Sequence, residues 1–364
     1  MASASRAADW VRPAVRALTA YRVADADGLV KLDAMENPWP WPEELHEPWL
    51  AALGEVAVNR YPDAAARELT EALRTHLAPP AGTGLLLGNG SDEIIQIILA
   101  ALAGPDRAVV TPEPGFAMYR ILAEALGIRY VGVPLRATDF GLDRAAMLAA
   151  IEEHRPAVVF LAYPNNPTGN LFDADDVAAI LDAAPGLVVI DEAYHAFAGR
   201  SWLGALADHP DLVVLRTLSK TGLAGLRLGF AVGHPDWLDE FDKLRLPYNI
   251  NSLTQVSARF ALENWAPFEA QAEAIRTERS RLFEALRAHP ELTVHPSAAN
   301  FILFRTPAGR ASAVFAHLRD RGGVLIKDLS GAGGALTDCL RVTVGTPEEN
   351  DRFLSALDAA LAAA

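Results

Sequence analysis

Lys220 is the residue in this chain whose setting best suits covalent chemistry. It follows the apolar run Leu212–Leu215 and sits beside Thr217 and Ser219, in a stretch with few other charges before Arg227. A lysine desolvated there and close to a cation would have a depressed pKa and could form a Schiff base with a carbonyl. Taken alone, a lysine in such a place reads by default as a solvated loop lysine. Asp191 ends the all-apolar run Leu187–Ile190. A carboxylate in that position is partly buried and demands a partner, and a protonated pyridine nitrogen would serve. Gly88-Asn89-Gly90-Ser91-Asp92 runs straight into a helical pattern, so free backbone N–H groups and the helix dipole would face an anion such as phosphate. Ser91 and Asp92 are also good first-turn residues, and an ordinary turn with a cap accounts for the string as well. No third glycine follows at dinucleotide spacing and no Walker A pattern exists, so phosphate is suggested but a nucleotide is not. A lysine for an aldehyde, an aspartate for a ring nitrogen, and N–H groups with Ser and Arg for a phosphate together spell a site for pyridoxal 5'-phosphate.

The elements that would position these residues alternate along the chain. Short apolar runs at Gly84–Leu87, Ala108–Val110, Ala157–Ala162, Leu187–Ile190, Leu212–Leu215 and Leu228–Val232 read as strands separated by helical stretches such as Ser91–Ala103 and Ala117–Leu126. That alternation predicts an α/β fold with a mainly parallel sheet covered on both faces. Ligands of such sheets bind outside the carboxyl ends of the strands. Those ends carry Gly88–Asp92, Pro112–Phe116, Tyr163–Gly169, Asp191–Tyr194, Thr217–Lys220 and Gly225–Arg227, which would build one polar pocket along a single edge. From about Trp265 the texture changes. A Glu/Arg/Ala-rich helix over Ala270–Ala288, short strands near Leu292–His295, Phe301–Phe304, Val324–Ile326 and Leu340–Val344, and helices at Ala311–Arg321 and from Glu348 predict a smaller α+β domain.

The 364 residues suffice for about two domains, and a net charge of −14 disfavours a nucleic-acid role, which needs a basic face. The acidic excess falls mostly on helices such as Glu269–Glu284 and Glu348–Asp358, so it describes the surface and not the pocket. The single cysteine, Cys339, excludes an intramolecular disulfide and a multi-Cys metal cluster and reads as a small buried hydrophobe. No histidine pair has metal-ligand spacing, and His195 reads as structural or solvent-facing. Met1–Asp9 carries Arg6 but no apolar h-region, and the apolar stretch Ile94–Ala103 is far short of a membrane span; a cytoplasmic protein is expected.

The strings Asn166-Pro167-Thr168-Gly169, Asp191-x-x-Tyr194, Ser219-Lys220 and the downstream Arg227 occur in the order and at the spacing of a known family. The sequence resembles the class I/II aminotransferases of the aspartate aminotransferase fold over nearly its whole length. The resemblance implies an N-terminal arm (1–32), a large cofactor-binding domain (33–264) with a mainly parallel seven-stranded sheet, and a small C-terminal domain (265–364). It implies that Lys220 bonds the cofactor and shuttles a proton, that Asp191 keeps the pyridine nitrogen protonated, and that Asn166 and Tyr194 hydrogen-bond the ring oxygen. Phe116 would stack on the ring, where many relatives have Tyr. Ser91, Asp92, Ser219 and Arg227 would line the phosphate pocket. Tyr61, in Asn59-Arg60-Tyr61-Pro62, resembles a tyrosine that reaches the neighbouring subunit's cofactor and so implies a homodimer with shared sites. Arg341 matches a C-terminal arginine that grips a substrate carboxylate, for which a planar guanidinium is the right group.

Within that family, Val15–Tyr21, Leu32–Pro38, Arg60–Asp63, Pro247–Ser252 and Leu340–Thr346 resemble the histidinol-phosphate aminotransferases in particular. This implies amino exchange between glutamate and imidazole acetol phosphate in histidine biosynthesis, with Tyr21 and Asn37 on the substrate side and Arg341 on the anion. Two departures stand out. Lys327 occupies a place where many members have arginine, and it offers charge without the bidentate fork. The interval from Lys220 to Arg227 is one residue shorter than in some relatives. The competing expectations are an aromatic amino acid aminotransferase and a threonine-phosphate decarboxylase of the same fold.

Overall fold

The computed structural model describes residues 6–20 and 23–363. Seven strands, β1 (Gly84–Asn89), β2 (Ala108–Glu113), β3 (Arg129–Pro134), β4 (Val158–Ala162), β5 (Leu187–Asp191), β6 (Leu212–Thr217) and β7 (Leu228–Gly233), form one sheet in the order β1-β7-β6-β5-β4-β2-β3. β7 runs antiparallel to β1 and β6, while the remaining neighbours are parallel. Because β7 is reversed, its first end lies at the edge where the other strands finish. That reversal brings Arg227 beside the loops that follow β1, β5 and β6. The strand β3 was absent from the sequence reading: it contains Gly132 and ends in Pro134, and as an edge strand its side chains stay half-exposed.

Period-two alternation divides each central strand between two cores. Val159, Leu161, Val188, Ile190, Leu212 and Val214 face one apolar cluster, which also holds Leu69, Leu73 and Met147. Val158, Phe160, Leu187, Val189, Val213 and Leu215 face the other, against Ile94, Ile98 and Tyr119 of helices Ser91–Leu102 and Ala117–Leu126. Burial on both faces explains why these strands read as continuous apolar runs.

The C-terminal part has its own core. An antiparallel sheet in the order Lys327–Asp328, Cys339–Thr343, Phe301–Arg305, Thr293–Val294 packs with helices Ala266–Arg287, Ala311–Asp320 and Pro347–Ala363 around Phe301, Phe304, Leu318 and Phe353. The long helix starts at Ala266, earlier than its composition suggested, with a proline in its first turn where no N–H is missed. Val30–Lys31 pairs in parallel with Val324–Leu325, and Leu32 is buried in this second core. Cys339 is fully buried. Among the described residues no helix is long and apolar enough to cross a membrane.

Candidate active site

Along the carboxyl edge of the large sheet the loops enclose an open cleft of about 570 Å³. It is lined by Ser91, Asp92, Phe116, Asn166, Asp191, Tyr194, Ser219, Lys220 and Arg227, with Met35, Ala162, Ala193 and Thr217 completing the wall. Asp191 and Ala162 are register partners at the ends of β5 and β4, so the small alanine leaves room beside the carboxylate. Asp191 is 4% exposed. Its Oδ2 accepts the Tyr119 hydroxyl at 2.8 Å and its Oδ1 accepts the Ala193 N–H at 3.1 Å. Burial pushes its pKa up to about 6, against the pull of those two donors.

Lys220 follows β6 and reaches into the cleft, with Nζ 3.3 Å from the Ala34 carbonyl and 5.8 Å from the centre of the Tyr194 ring. Desolvation, and then the positive charge of Arg341, push its pKa down to about 8; Glu36 and Asp92 oppose the shift. Tyr194 is held by Asn166 Nδ2, which donates to its hydroxyl at 3.1 Å, and burial raises the phenol's pKa. Arg341 Nη1 donates to Asn166 Oδ1 and Nη2 donates to the Asp33 carbonyl at 3.1 Å. The guanidinium is buried and lies 5.1 Å from the Phe301 ring centre, joined to the cleft through Asn166.

The phosphate end is a backbone cradle. Gly90 precedes the helix Ser91–Leu102 with φ of +82°, and no side chain caps the helix's first N–H groups. A Cβ at Gly90 would stand 2.6 Å from Arg227 Nη2, and one at Gly229 would stand 2.3 Å from Ser91 N. Only glycine leaves these surfaces open. Arg227 Nη2 lies 3.6 Å from Asp92 Oδ2, and Thr217 Oγ1 lies 2.9 Å from Ser219 Oγ. Uncapped N–H groups, two hydroxyls and a half-exposed guanidinium at one end, a buried carboxylate in the middle and a low-pKa amine opposite fit the phosphate, ring nitrogen and aldehyde of pyridoxal 5'-phosphate.

Other expected residues lie outside this cleft wall. Asn37 is tied to Gln271 at 2.9 Å and to the Trp39 N–H at 2.9 Å. Lys327 is the cross-strand register partner of Arg341, so the two cations occupy neighbouring positions on one face of the small sheet. Tyr61 is 81% exposed and stacks on Tyr248 at 4.5 Å, away from this chain's cleft. Tyr21 lies outside the described residues. His195 is half-buried with Nδ1 3.2 Å from the Glu192 carbonyl, and burial pushes its pKa down to about 3. Among the described residues no group of three His, Cys, Asp or Glu could hold a metal ion.

Two features had no reading from sequence. Tyr119, the partner of Asp191, lies one helical turn after Phe116 and is separated from Asp191 by 72 positions. Glu192, fully buried, pairs with Arg216 at 2.9 Å and also accepts from Ser201 Oγ. This ion pair ties the residue after β5 to the end of β6.

Residues 32–357 match the family described as aminotransferase class I and II. The chain is 58% identical to histidinol-phosphate aminotransferase 2 of Nitrosococcus oceani over 97% of its length and 98% of that protein's. It is 53% identical to the histidinol-phosphate aminotransferase of Chromobacterium violaceum over 95% and 96% of the two chains. Its structure is similar to that of histidinol-phosphate aminotransferase from Sinorhizobium meliloti in complex with pyridoxal-5'-phosphate, with a TM-score of 0.86, 26% identity, and coverage of 100% and 99%. With its sheet, its cleft and its near full-length likeness in agreement, the chain belongs to the class I and II aminotransferase family.

Proposed function

We propose that this chain exchanges an amino group between histidinol phosphate and 2-oxoglutarate, giving imidazole acetol phosphate and glutamate in histidine biosynthesis. The observation that carries the reading is the near full-length identity of 50–58% to relatives bearing that enzyme's name. The cleft described above supports it. Those identities favour this reading over an aromatic amino acid aminotransferase or a threonine-phosphate decarboxylase of the same fold.

When bound, pyridoxal 5'-phosphate supplies an aldehyde that takes the amino group and a ring that withdraws electrons from the substrate carbon. The chain's own residues bind, orient and move protons around it. Lys220 Nζ, partly neutral near neutral pH because of its low pKa, would hold the aldehyde end of the cofactor and would be the base that takes the proton from the substrate carbon bearing the amino group. Asp191 would hold the ring nitrogen as a cation. Asn166 Nδ2 and the Tyr194 hydroxyl, already 3.1 Å apart, are placed to donate to the ring oxygen. Phe116, on the cleft wall, would cover the ring face. The Ser91 and Asp92 N–H groups, Ser219 and Arg227 would hold the phosphate.

Arg341 binds the substrate's carboxylate when glutamate is in the site. With Lys327 opposite it in the sheet, the same face carries enough charge for a substrate phosphate. Tyr21 and Asn37 are assigned to the substrate side. Tyr61 serves the partner subunit's cleft in a homodimer. Its exposure, its stack on Tyr248 and the exposed apolar side chains Val58, Leu246 and Leu253 of the same two segments support that assignment. We take 33–264 as the cofactor-binding unit and 265–364 as the small unit, with the entry strand Val30–Lys31 attached to the latter. A small-molecule biosynthetic role goes with the cytoplasm.

The test is a substrate panel. With 2-oxoglutarate as acceptor, histidinol phosphate should give the highest kcat/KM among histidinol phosphate, Phe, Tyr and Leu. An aromatic amino acid winning by a clear margin refutes the substrate assignment and leaves the reaction class standing.

A further inference from the structure

Asp191 lines the cleft almost fully buried, and burial works against its charge. Asp92 and Glu192 add like-charge repulsion, while Lys220 and Arg227 share the cleft. Two neutral donors hold the carboxylate: the Ala193 N–H on Oδ1 and the Tyr119 hydroxyl on Oδ2. Tyr119 is 1% exposed, stacked on Phe160 at 4.6 Å and 15°, and set edge-on to Phe116 at 5.4 Å and 86°. Its ring is therefore fixed between β4 and the cleft wall. Burial and the nearby Asp191 charge raise the phenol's own pKa well above the usual value, so the hydroxyl keeps its proton and acts as a donor.

We propose that Tyr119 is a positioning residue that keeps Asp191 an anion, so that the cleft presents a carboxylate and not a carboxylic acid to a positively charged ring nitrogen. The proposal rests on the reading that the cleft takes pyridoxal 5'-phosphate. The aromatic ring alone satisfies the packing on Phe160; the hydroxyl is needed only by the carboxylate. A hydrogen bond to a charged group favours the charged form. Removing the hydroxyl therefore leaves burial and the two neighbouring acids unopposed on that oxygen, and Asp191 takes up a proton at a higher pH. A protonated ring nitrogen binds a carboxylate well and a carboxylic acid poorly, so cofactor affinity would fall where Asp191 is protonated.

The experiment is a titration of pyridoxal 5'-phosphate into the full-length apoprotein, read by visible absorbance across a series of pH values. Wild type, Tyr119→Phe and Phe160→Leu are compared. In Tyr119→Phe the pH below which affinity falls should move up by roughly one pH unit, with about tenfold loss per unit below it and convergence on wild type above it. Phe160→Leu loosens the packing but keeps the hydroxyl, so it should weaken binding equally at every pH and leave the midpoint in place. A Tyr119→Phe profile parallel to wild type with an unmoved midpoint overturns the proposal alone. A wild-type protein that gives no visible band with the cofactor overturns the cofactor reading and the proposal with it.

Discussion

Gly229→Ala tests whether the phosphate end of the cleft depends on backbone approach. Gly229 sits in β7 opposite Gly88 of β1 and Thr217 of β6. A Cβ there would stand 2.3 Å from Ser91 N, 2.6 Å from Gly90 C and 2.8 Å from Ser91 Cα. These are all backbone atoms, so no rotamer change relieves the clash. Ordinary contact begins at 3.4 Å, and the turn must therefore retreat by roughly 1 Å. A hydrogen bond from the Ser91 N–H to a phosphate oxygen would stretch from about 2.9 Å to about 4 Å and be lost. A bond to a charged group is worth about 1.5–3 kcal/mol, or roughly 10- to 150-fold in cofactor Kd. Overpacking adds about 1–3 kcal/mol of destabilisation.

The control is Gly233→Ala in the same strand. Its Cβ would meet the Val213 side chain at 2.8 Å and the Leu212 carbonyl at 3.3 Å, remote from the turn. Cofactor titration and Tm of the apoproteins separate the two effects. Both variants should lose Tm, and only Gly229→Ala should lose cofactor affinity. Unchanged affinity in Gly229→Ala, or an equal loss in Gly233→Ala, refutes the cradle.

Three further outcomes follow from the same geometry. Lys220→Ala should abolish both the visible band with added cofactor and transamination, while the apoprotein's Tm holds, since the site disfavours the ammonium it removes. Arg341→Lys keeps the charge but cannot bridge Asn166 and the Asp33 carbonyl while also forking onto a carboxylate; steady-state kinetics should show kcat/KM for glutamate down on the order of a hundredfold. Asp191→Asn should stabilise the apoprotein while costing cofactor retention. The folded pKa of Asp191 is raised from 3.8 to about 6, so the native state holds the proton longer and stability is lost as pH rises through that window. Urea denaturation at pH 7 should therefore favour the variant by up to about 3 kcal/mol, and the advantage should vanish near pH 4.

The sheet was legible wherever a strand is buried on both faces, because its residues are then uniformly apolar and the polar residue that follows stands out. Asp191, Lys220 and the Gly88–Asp92 turn all carry that signal, and the cleft gathers them. The edge strand β3 carried no such signal, since half-exposed positions admit polar residues and glycine. Tyr119 was illegible for another reason: its hydroxyl meets Asp191 through helix–sheet packing, and no local spacing encodes a contact across 72 positions. The pairing of Lys327 with Arg341 is likewise a matter of antiparallel register, fixed by the fold and not by either residue's neighbours.

Asp191 and Glu192 show how adjacent acids in one sequence acquire opposite roles. Consecutive residues leave a strand on opposite faces. Asp191 follows Leu187 and Val189 toward the helices of the cleft wall, and Glu192 follows Val188 and Ile190 toward the other core. Glu192 meets a full complement there: Arg216 donates through Nε at 3.0 Å and sets its Nη2 2.9 Å away as an ion pair, and Ser201 Oγ and the Trp202 N–H donate as well. Its charge is compensated inside the protein, as a buried carboxylate requires. Asp191 is held instead by a phenol and one peptide N–H, both neutral, and its raised pKa records the cost. A carboxylate kept buried without a matching cation is stable only if something that arrives later brings the positive charge. The cleft beside it has the room, and the ring nitrogen of the cofactor has the charge.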